Sequence, residues 1–368
     1  MGQILTFLGK GGTGRSTVAI AFARASVKKG RRVLLVEGAG EPALELLLGG
    51  SVSLSLSPTV VAPNLSAVRL KSTSLLEQSW TQARQAESEY IKTPFFKDIY
   101  SQELPILPGM DQALTLDALR RYDASGEYDC IIYDGSGDLS VLRMLGIPEI
   151  ASWYWRRASK AFLDSDLAKT LRPFAEPLIR SVSTVDFNSL EDIPKQVSGE
   201  TNWLEEGRKA LANPDRVLAH LVTSADPIAI QSARFLWGSA QMIGVTVGSV
   251  LVSPLGNGSV SPSDFLPLPL YSLPQKQGSE WSELEAAIIP ALDKPKVPPP
   301  VAIDESSAIV KLFIPGLSKS QIELSQSGPE LTITAGDQRR NVSLPLSLAG
   351  RQVKGAKFQD QYLIISFG

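Results

Sequence analysis

The sequence predicts an α/β protein: a doubly wound, mostly parallel sheet with a helical insertion, plus a C-terminal all-β sandwich. Three observations predict it. Strand, glycine-rich loop, helix and second strand follow one another within residues 3–38, which is a βαβ unit and hence a parallel sheet. Further apolar runs at 128–137 and 247–255 end in Asp-Gly and Ser-Pro, as buried strands running into loops do. Beyond residue 302 the chain breaks into short β-rich runs separated by Gly and Pro, the pattern of a small sandwich.

The elements follow in order. QILTFLG (3–9) is an apolar run closed by glycine, as in a buried strand. From Ser16 to Lys29, Val18, Ala21, Phe22 and Ala25 fall on one helical face, with Gly30 as the stop. RRVLLVEG (31–38) is the second strand, YDCIIYDGSG (128–137) another, HLVTSADP (220–227) a further one, and VGSVLVSPL (247–255) the next. About 149–216 the sequence is rich in helix formers and aromatics and reads as a helical insertion whose Trp and Tyr residues pack a core or face a partner. KPKVPPPVA at 294–302 carries four prolines, which stiffen and extend a chain as linkers do. The domains are therefore expected at 1–293 and 303–368. AIVKLFIPG, QIELSQSG, ELTITAG, RNVSLPL and YLIISFG supply the strands of the second.

Composition narrows the function. The 368 residues carry a formal net charge of −2, with basic residues scattered; a nucleic-acid surface needs a concentrated basic patch. A single cysteine, Cys130, excludes a disulfide framework or a cysteine metal cluster within one chain and fits a reducing compartment. No run approaches the roughly 18 apolar residues of a membrane helix. MGQILT matches a loose myristoylation pattern, but the segment reads as the first core strand. The expectation is a cytoplasmic protein with no integral membrane segment; peripheral membrane contact through a client stays open. Cys130 lies mid-strand and reads as a buried small hydrophobe; His220, the lone histidine, reads as structural.

GKGGTGRST (9–17) carries the chemistry. Glycines let backbone N–H groups converge on phosphates, and the following helix adds its positive end. Gly9, Gly14 and Ser16 fit the pattern G-x-x-x-x-G-K-[ST]; Arg15 stands where lysine is usual, and its planar guanidinium is no simple substitute for an ammonium. Lys10 before Gly11-Gly12 marks the deviant variant of this loop, which has an additional, earlier lysine.

These residues, with VLLVEGAGEPALELLLG (33–49), LPGMDQALTL (107–116) and YDCIIYDGSGDLSVLRMLGIP (128–148), resemble the arsenite-pump and tail-anchored-protein-targeting (ArsA-type) ATPases over about the first 290 residues. The resemblance implies ATP with magnesium and a nucleotide-driven homodimer. It implies that Gly11, Gly12, Thr13, Gly14, Arg15, Ser16 and Thr17 line the phosphates. It gives catalytic roles to Lys10, acting across the dimer, and to Asp134. Ser16 and Asp134 would serve the magnesium, and Ser253 stands where the family often has an adenine-reading asparagine. Two departures count against fast hydrolysis. Ala39 occupies the position of the first-switch aspartate that orients water, with Glu37 or Glu41 able to substitute only if the loop shifts. The second switch, D-T-A-P-T-G-H in the family, reads Asp134-Gly135-Ser136-Gly137-Asp138-Leu139-Ser140. Cargo signals are missing too: arsenite pumps use several cysteines, and targeting ATPases a methionine-rich groove, against four methionines here. Arsenite is not expected. Residues 303–368 resemble the small heat-shock (α-crystallin) domain, with Gln361 at a usual glycine; client binding and a plain interaction surface both remain open for it. The expected function is an ATP-binding, slowly hydrolysing homodimeric switch coupled to an unknown protein client. The alternative is a pseudo-ATPase scaffold that binds nucleotide without turnover. A DNA-partitioning or division-site ATPase fits less well, lacking a basic face or C-terminal amphipathic helix.

Overall fold

A computed structural model describes residues 2–38, 43–50, 52–86, 109–163, 203–256, 258–293 and 296–368. Ala39, Glu41, most of the proline-rich linker's first residues and the greater part of the helical insertion thus lie outside or at the margin of the described residues.

The N-terminal part is built on an eight-stranded sheet of order β3-β4-β2-β5-β1-β6-β7-β8. Its strands are β1 (Gln3–Leu8), β2 (Val33–Glu37), β3 (Thr59–Ala62), β4 (Leu65–Arg69), β5 (Cys130–Asp134), β6 (Val217–Thr223), β7 (Thr246–Val252) and β8 (Leu270–Ser272). All pairs are parallel except the β3/β4 hairpin at one edge. The described helices are α1 (Arg15–Lys28), α2 (Ala43–Leu47), α3 (Ser72–Ala86), α4 (Met110–Ala124), α5 (Leu139–Leu163), α6 (Trp203–Ala212), α7 (Pro227–Ile243) and α8 (Ser282–Ile288).

The apolar runs are continuous because both sheet faces are covered. In β2, Val33 and Leu35 pack with α1 on one face, while Leu34 and Val36 face the core of α3, α4, α5 and α7 on the other. Cys130 is fully buried in β5, where burial pushes its thiol up to about 11. Gly2 is buried and its N–H donates to Asp123 at 2.7 Å. Two expectations shift. The strand placed at 220–227 occupies 217–223, because Asp226 and Pro227 open α7 instead: Asp226 accepts from the N–H groups of Ile228 and Ala229. The helical character assigned to about 149 onward begins at Leu139, ten residues sooner, and α5 runs through Pro148.

The C-terminal residues form two antiparallel sheets. One has the order β14-β15-β10-β9, the other β11-β12-β13. The strands are β9 (Val301–Asp304), β10 (Ile309–Phe313), β11 (Ile322–Ser327), β12 (Glu330–Ala335), β13 (Gln338–Ser343), β14 (Val353–Gln359) and β15 (Tyr362–Phe367). Val301 and Ala302, placed in the linker by composition, open β9. Val310, Leu312, Leu331, Ile333, Val342, Leu363 and Ile365 fill the space between the sheets. This sandwich rests on α7. Phe313 meets Trp237 edge-on, ring centroids 5.5 Å apart, and Arg340 donates to the Gln241 carbonyl at 2.8 Å. Gly238 is required there: a Cβ on it would lie 2.3 Å from the Pro315 carbonyl oxygen.

Candidate functional site

The chain leaves β1 in one direction to reach β2 and β5, and β6 lies on its other side. The carboxyl end of β1 is therefore the place where an open α/β sheet forms a crevice. Residues 9–14 turn across it into α1.

Gly9 is buried, and a Cβ there would meet the Val222 carbonyl oxygen at 2.0 Å, so the loop can pass this close to β6 only without a side chain. Gly12 and Gly14 take positive φ of 81° and 89°, and nothing stands within 4 Å of the Cβ positions of Gly11, Gly12 or Gly14. Gly14 caps α1 without a side-chain bond, which leaves the positive helix end facing outward. Thr13 turns its side chain inward: its hydroxyl donates to the Lys10 carbonyl at 2.8 Å, and its N–H points to the same oxygen at 3.4 Å. A cleft of about 490 Å³ opens here, bounded by Gly9–Gly11, Arg15, Ser16, Gly135, Ser136 and Asp138, with Phe235 and Leu236 of α7 as its apolar wall.

The other expected site residues fall around this cleft. Lys10 is exposed, with Nζ 3.4 Å from Asp226 Oδ2. Thr17 is half-buried in the first turn of α1. Asp134 is buried at the end of β5, in register with Glu37 of β2, and does not border the cleft itself. Ser253 follows β7, two strands from β1, and is likewise not part of the cleft wall; its buried hydroxyl has no hydrogen-bond partner among the described residues. Arg15 does not stretch outward. Its Nη1 donates to the Gly9 carbonyl at 2.5 Å.

The first-switch substitutes separate. Glu37 is buried and committed: Arg69 Nε donates to it at 2.5 Å, and Arg69 Nη1 also reaches Glu45 at 3.1 Å. The other Glu37 oxygen, Oε1, is buried with no hydrogen-bond partner among the described residues, and Glu37 does not border the cleft. Ala39 and Glu41 lie outside the described residues. In the second switch, the Ser136 hydroxyl and the Ser140 N–H and hydroxyl all donate to Asp138 Oδ1. Burial alone would raise the Asp138 carboxyl, but these bonds, with the Arg15 charge behind them, bring it below its ordinary value. Sequence reading missed this network and the Asp226 partner of Lys10. The Asp-Pro dipeptide at 226–227 was the available signal, since Asp at N-cap followed by Pro is a helix start.

The arrangement fits a nucleotide polyphosphate. The cradle is open, the helix end is uncapped by any side chain, and Ser16 offers a hydroxyl beside it. Among the described residues no cluster of three or more His, Cys, Asp or Glu could hold a metal alone. Magnesium bound through one or two protein oxygens plus phosphates needs no such cluster, and Ser16 and Asp134 are the residues that could serve it. No described helix is long and apolar enough to cross a membrane.

Comparison with known proteins gives concordant results. The sequence profile of the anion-transporting ATPases matches residues 2–262, and that of an HSP20-like domain found in ArsA matches 305–367. A protein of Chlorobaculum tepidum, provisionally named an arsenical pump-driving ATPase, is 26% identical over 99% of this chain and 96% of its own length. A similarly named protein of Aquifex aeolicus is 21% identical over 99% of both chains. The ATPase get3 of Schizosaccharomyces japonicus is 25% identical over 56% of this chain and 60% of its own.

Proposed function

Because this chain belongs to the anion-transporting ATPase family, we propose that it is an ATP-binding, slowly hydrolysing homodimeric switch whose nucleotide state governs its hold on a protein partner. The observation that carries this reading is the open glycine cradle at the end of β1, with Ser16 inside it and Lys10 exposed at its lip. Backbone N–H groups of residues 11–17 and the α1 dipole bind the phosphates; ATP supplies the transferable phosphoryl group and magnesium its charge neutralisation. Ser16 and the buried Asp134 are the residues that would hold the metal. The Ser253 hydroxyl, buried and without a partner among the described residues, is available to a base edge. Thr13 contributes by holding the turn.

Turnover is slow because Glu37 is buried off the cleft wall and Asp138, which borders the cleft, is engaged by Ser136 and Ser140. Glu37 is held by Arg69, and the aligned first-switch position is Ala39. Positioning of water supplies much of the rate in phosphoryl transfer. Arsenite is not proposed as cargo, since the single thiol is sealed in β5. The partner is a protein bound in the cytoplasm, and the HSP20-like sandwich is part of the surface it meets.

Titration with mant-ATP and magnesium, followed by a multiple-turnover phosphate-release assay, tests the reading. Saturable binding is expected, with turnover below about 1 s⁻¹, at the low end for enzymes. No binding would sink the proposal. Binding with no release beyond one equivalent would make the chain a scaffold that reads nucleotide without consuming it.

A further inference from the structure

Two departures from the family pattern, Arg15 in the phosphate loop and Gly137 in the second switch, are in contact. A Cβ built on Gly137 would lie 2.3 Å from Arg15 Nη1, 2.6 Å from Cδ and 2.7 Å from Cζ. The clash involves the stem as well as the tip, so a rotation of the guanidinium alone does not relieve it. Gly137 also has φ of +69°, which glycine adopts without cost. The same two segments are tied by backbone: the Gly9 N–H donates to the Gly137 carbonyl at 2.9 Å, while the Gly9 carbonyl accepts from Arg15. On the far side, Asp138 is fixed by Ser136 and Ser140. Residues 135–138 are thus held between Arg15 and the start of α5, and Gly135, Ser136 and Asp138 form one wall of the phosphate cleft.

We propose that Arg15 is a positioning residue that latches the second switch to the phosphate loop, that Gly137 is the complementary vacancy that admits it, and that the outermost phosphate of a bound nucleotide competes with the latch for the guanidinium. A phosphate oxygen is a charged acceptor and the Gly9 carbonyl a neutral one, so the guanidinium moves toward phosphate when it is present. That movement uncovers Gly137 and frees residues 135–138. A lysine could not do this, because one ammonium cannot both lie flat over a peptide and hold the loop carbonyl. The contact stands on the geometry; the competition rests on the nucleotide-binding reading above.

A double-mutant cycle tests both. Gly137→Ala and Gly137→Asn are made in the Arg15 chain and in Arg15→Lys; asparagine tolerates the left-handed backbone better than alanine. Backbone strain is common to both backgrounds, so the cycle isolates the contact. Without nucleotide, each Gly137 substitution should lower Tm by at least about 3 °C more beside Arg15 than beside Lys. With mant-ATP and magnesium, each should tighten affinity about tenfold beside Arg15, because the added side chain disfavours the latched state that nucleotide must open, and change it less than about threefold beside Lys. Equal Tm losses in both backgrounds would overturn the latch. Coupling in Tm without coupling in affinity would reduce it to packing and overturn the positioning role. Absence of nucleotide binding in the unaltered chain would overturn the competition together with the proposed function, while the Tm cycle would still decide the contact.

Discussion

His220 shows how a single residue can be read wrongly as chemistry and rightly as structure. It lies in β6, buried, against both Phe7 and Phe22 with ring centroids 6.0 and 4.8 Å away. Nδ1 is 2.8 Å from the Ser249 hydroxyl and Nε2 has no partner among the described residues. Burial pushes its pKa down to about 3, so the imidazole is neutral in the folded chain. The sign follows. A histidine whose folded pKa lies below its unfolded value of about 6.5 contributes stability that is complete above that pH and lost as pH falls toward 3. Between pH 6.5 and 5.5, before most carboxylates titrate, the loss is about 1 kcal/mol. Because this is the only histidine, His220→Asn should flatten that interval in urea-denaturation free energies, even if the variant is less stable throughout. An unchanged slope would mean the ring reaches water. No pattern in the sequence separates this histidine from a catalytic one except its place inside an apolar strand, and that cue suffices here.

At the scale of the element, α7 is where the two folded parts meet. Its N-terminus is capped by Asp226, the residue that also pairs with Lys10, and its C-terminus by Gly244 in the left-handed conformation. Phe235 and Leu236 border the phosphate cleft, and Phe235 also packs against the sandwich core. Glycine inside a helix ordinarily costs about 1 kcal/mol relative to alanine. Gly238→Ala would therefore stabilise a free α7. Here the added methyl would meet the Pro315 carbonyl oxygen, and backbone on both sides cannot rotate away. The expected outcome is destabilisation of about 1–3 kcal/mol, the range for overpacking, with faster amide exchange in residues 313–317. The sign decides: a rise in Tm would show that the sandwich does not sit on α7. None of this was legible beforehand, since a strand expectation running through 220–227 hid the start of the helix, and only tertiary contact reveals why residue 238 is glycine.

For the whole molecule, legibility followed burial. Strands β1, β2, β5 and β7 are covered on both faces and read as apolar runs; β14, with Lys354, Gly355, Ala356 and Lys357 exposed, carries no such signal and is legible only through the likeness of GRQVKGAKFQDQYLIISFG to an α-crystallin strand pair. The phosphate loop was legible because its shape demands glycines. The Glu37–Arg69 pair and the fold-back of Arg15 onto Gly137 were not, because each depends on a residue far along the chain. The same logic bears on assembly. Lys10 sits at the cleft lip, its side chain 45% exposed. Its partner Asp226 is exposed too, so this ion pair is worth no more than about 1 kcal/mol and exchanges readily for a stronger acceptor such as a phosphate of a facing subunit. Ile228 and Leu255, both exposed, flank the Asp226 turn, where the Ala225 N–H meets the Leu255 carbonyl. They offer apolar surface beside that charge. If Lys10 acts across a homodimer, ATP with magnesium should shift the sedimentation coefficient toward a dimer, and Lys10→Ala should remove that shift while mant-ATP still binds each monomer with affinity reduced no more than about tenfold, one lost charged contact. Nucleotide-linked dimerisation that survives Lys10→Ala would confine this lysine to its own loop and leave the dimer, if any, to the apolar rim.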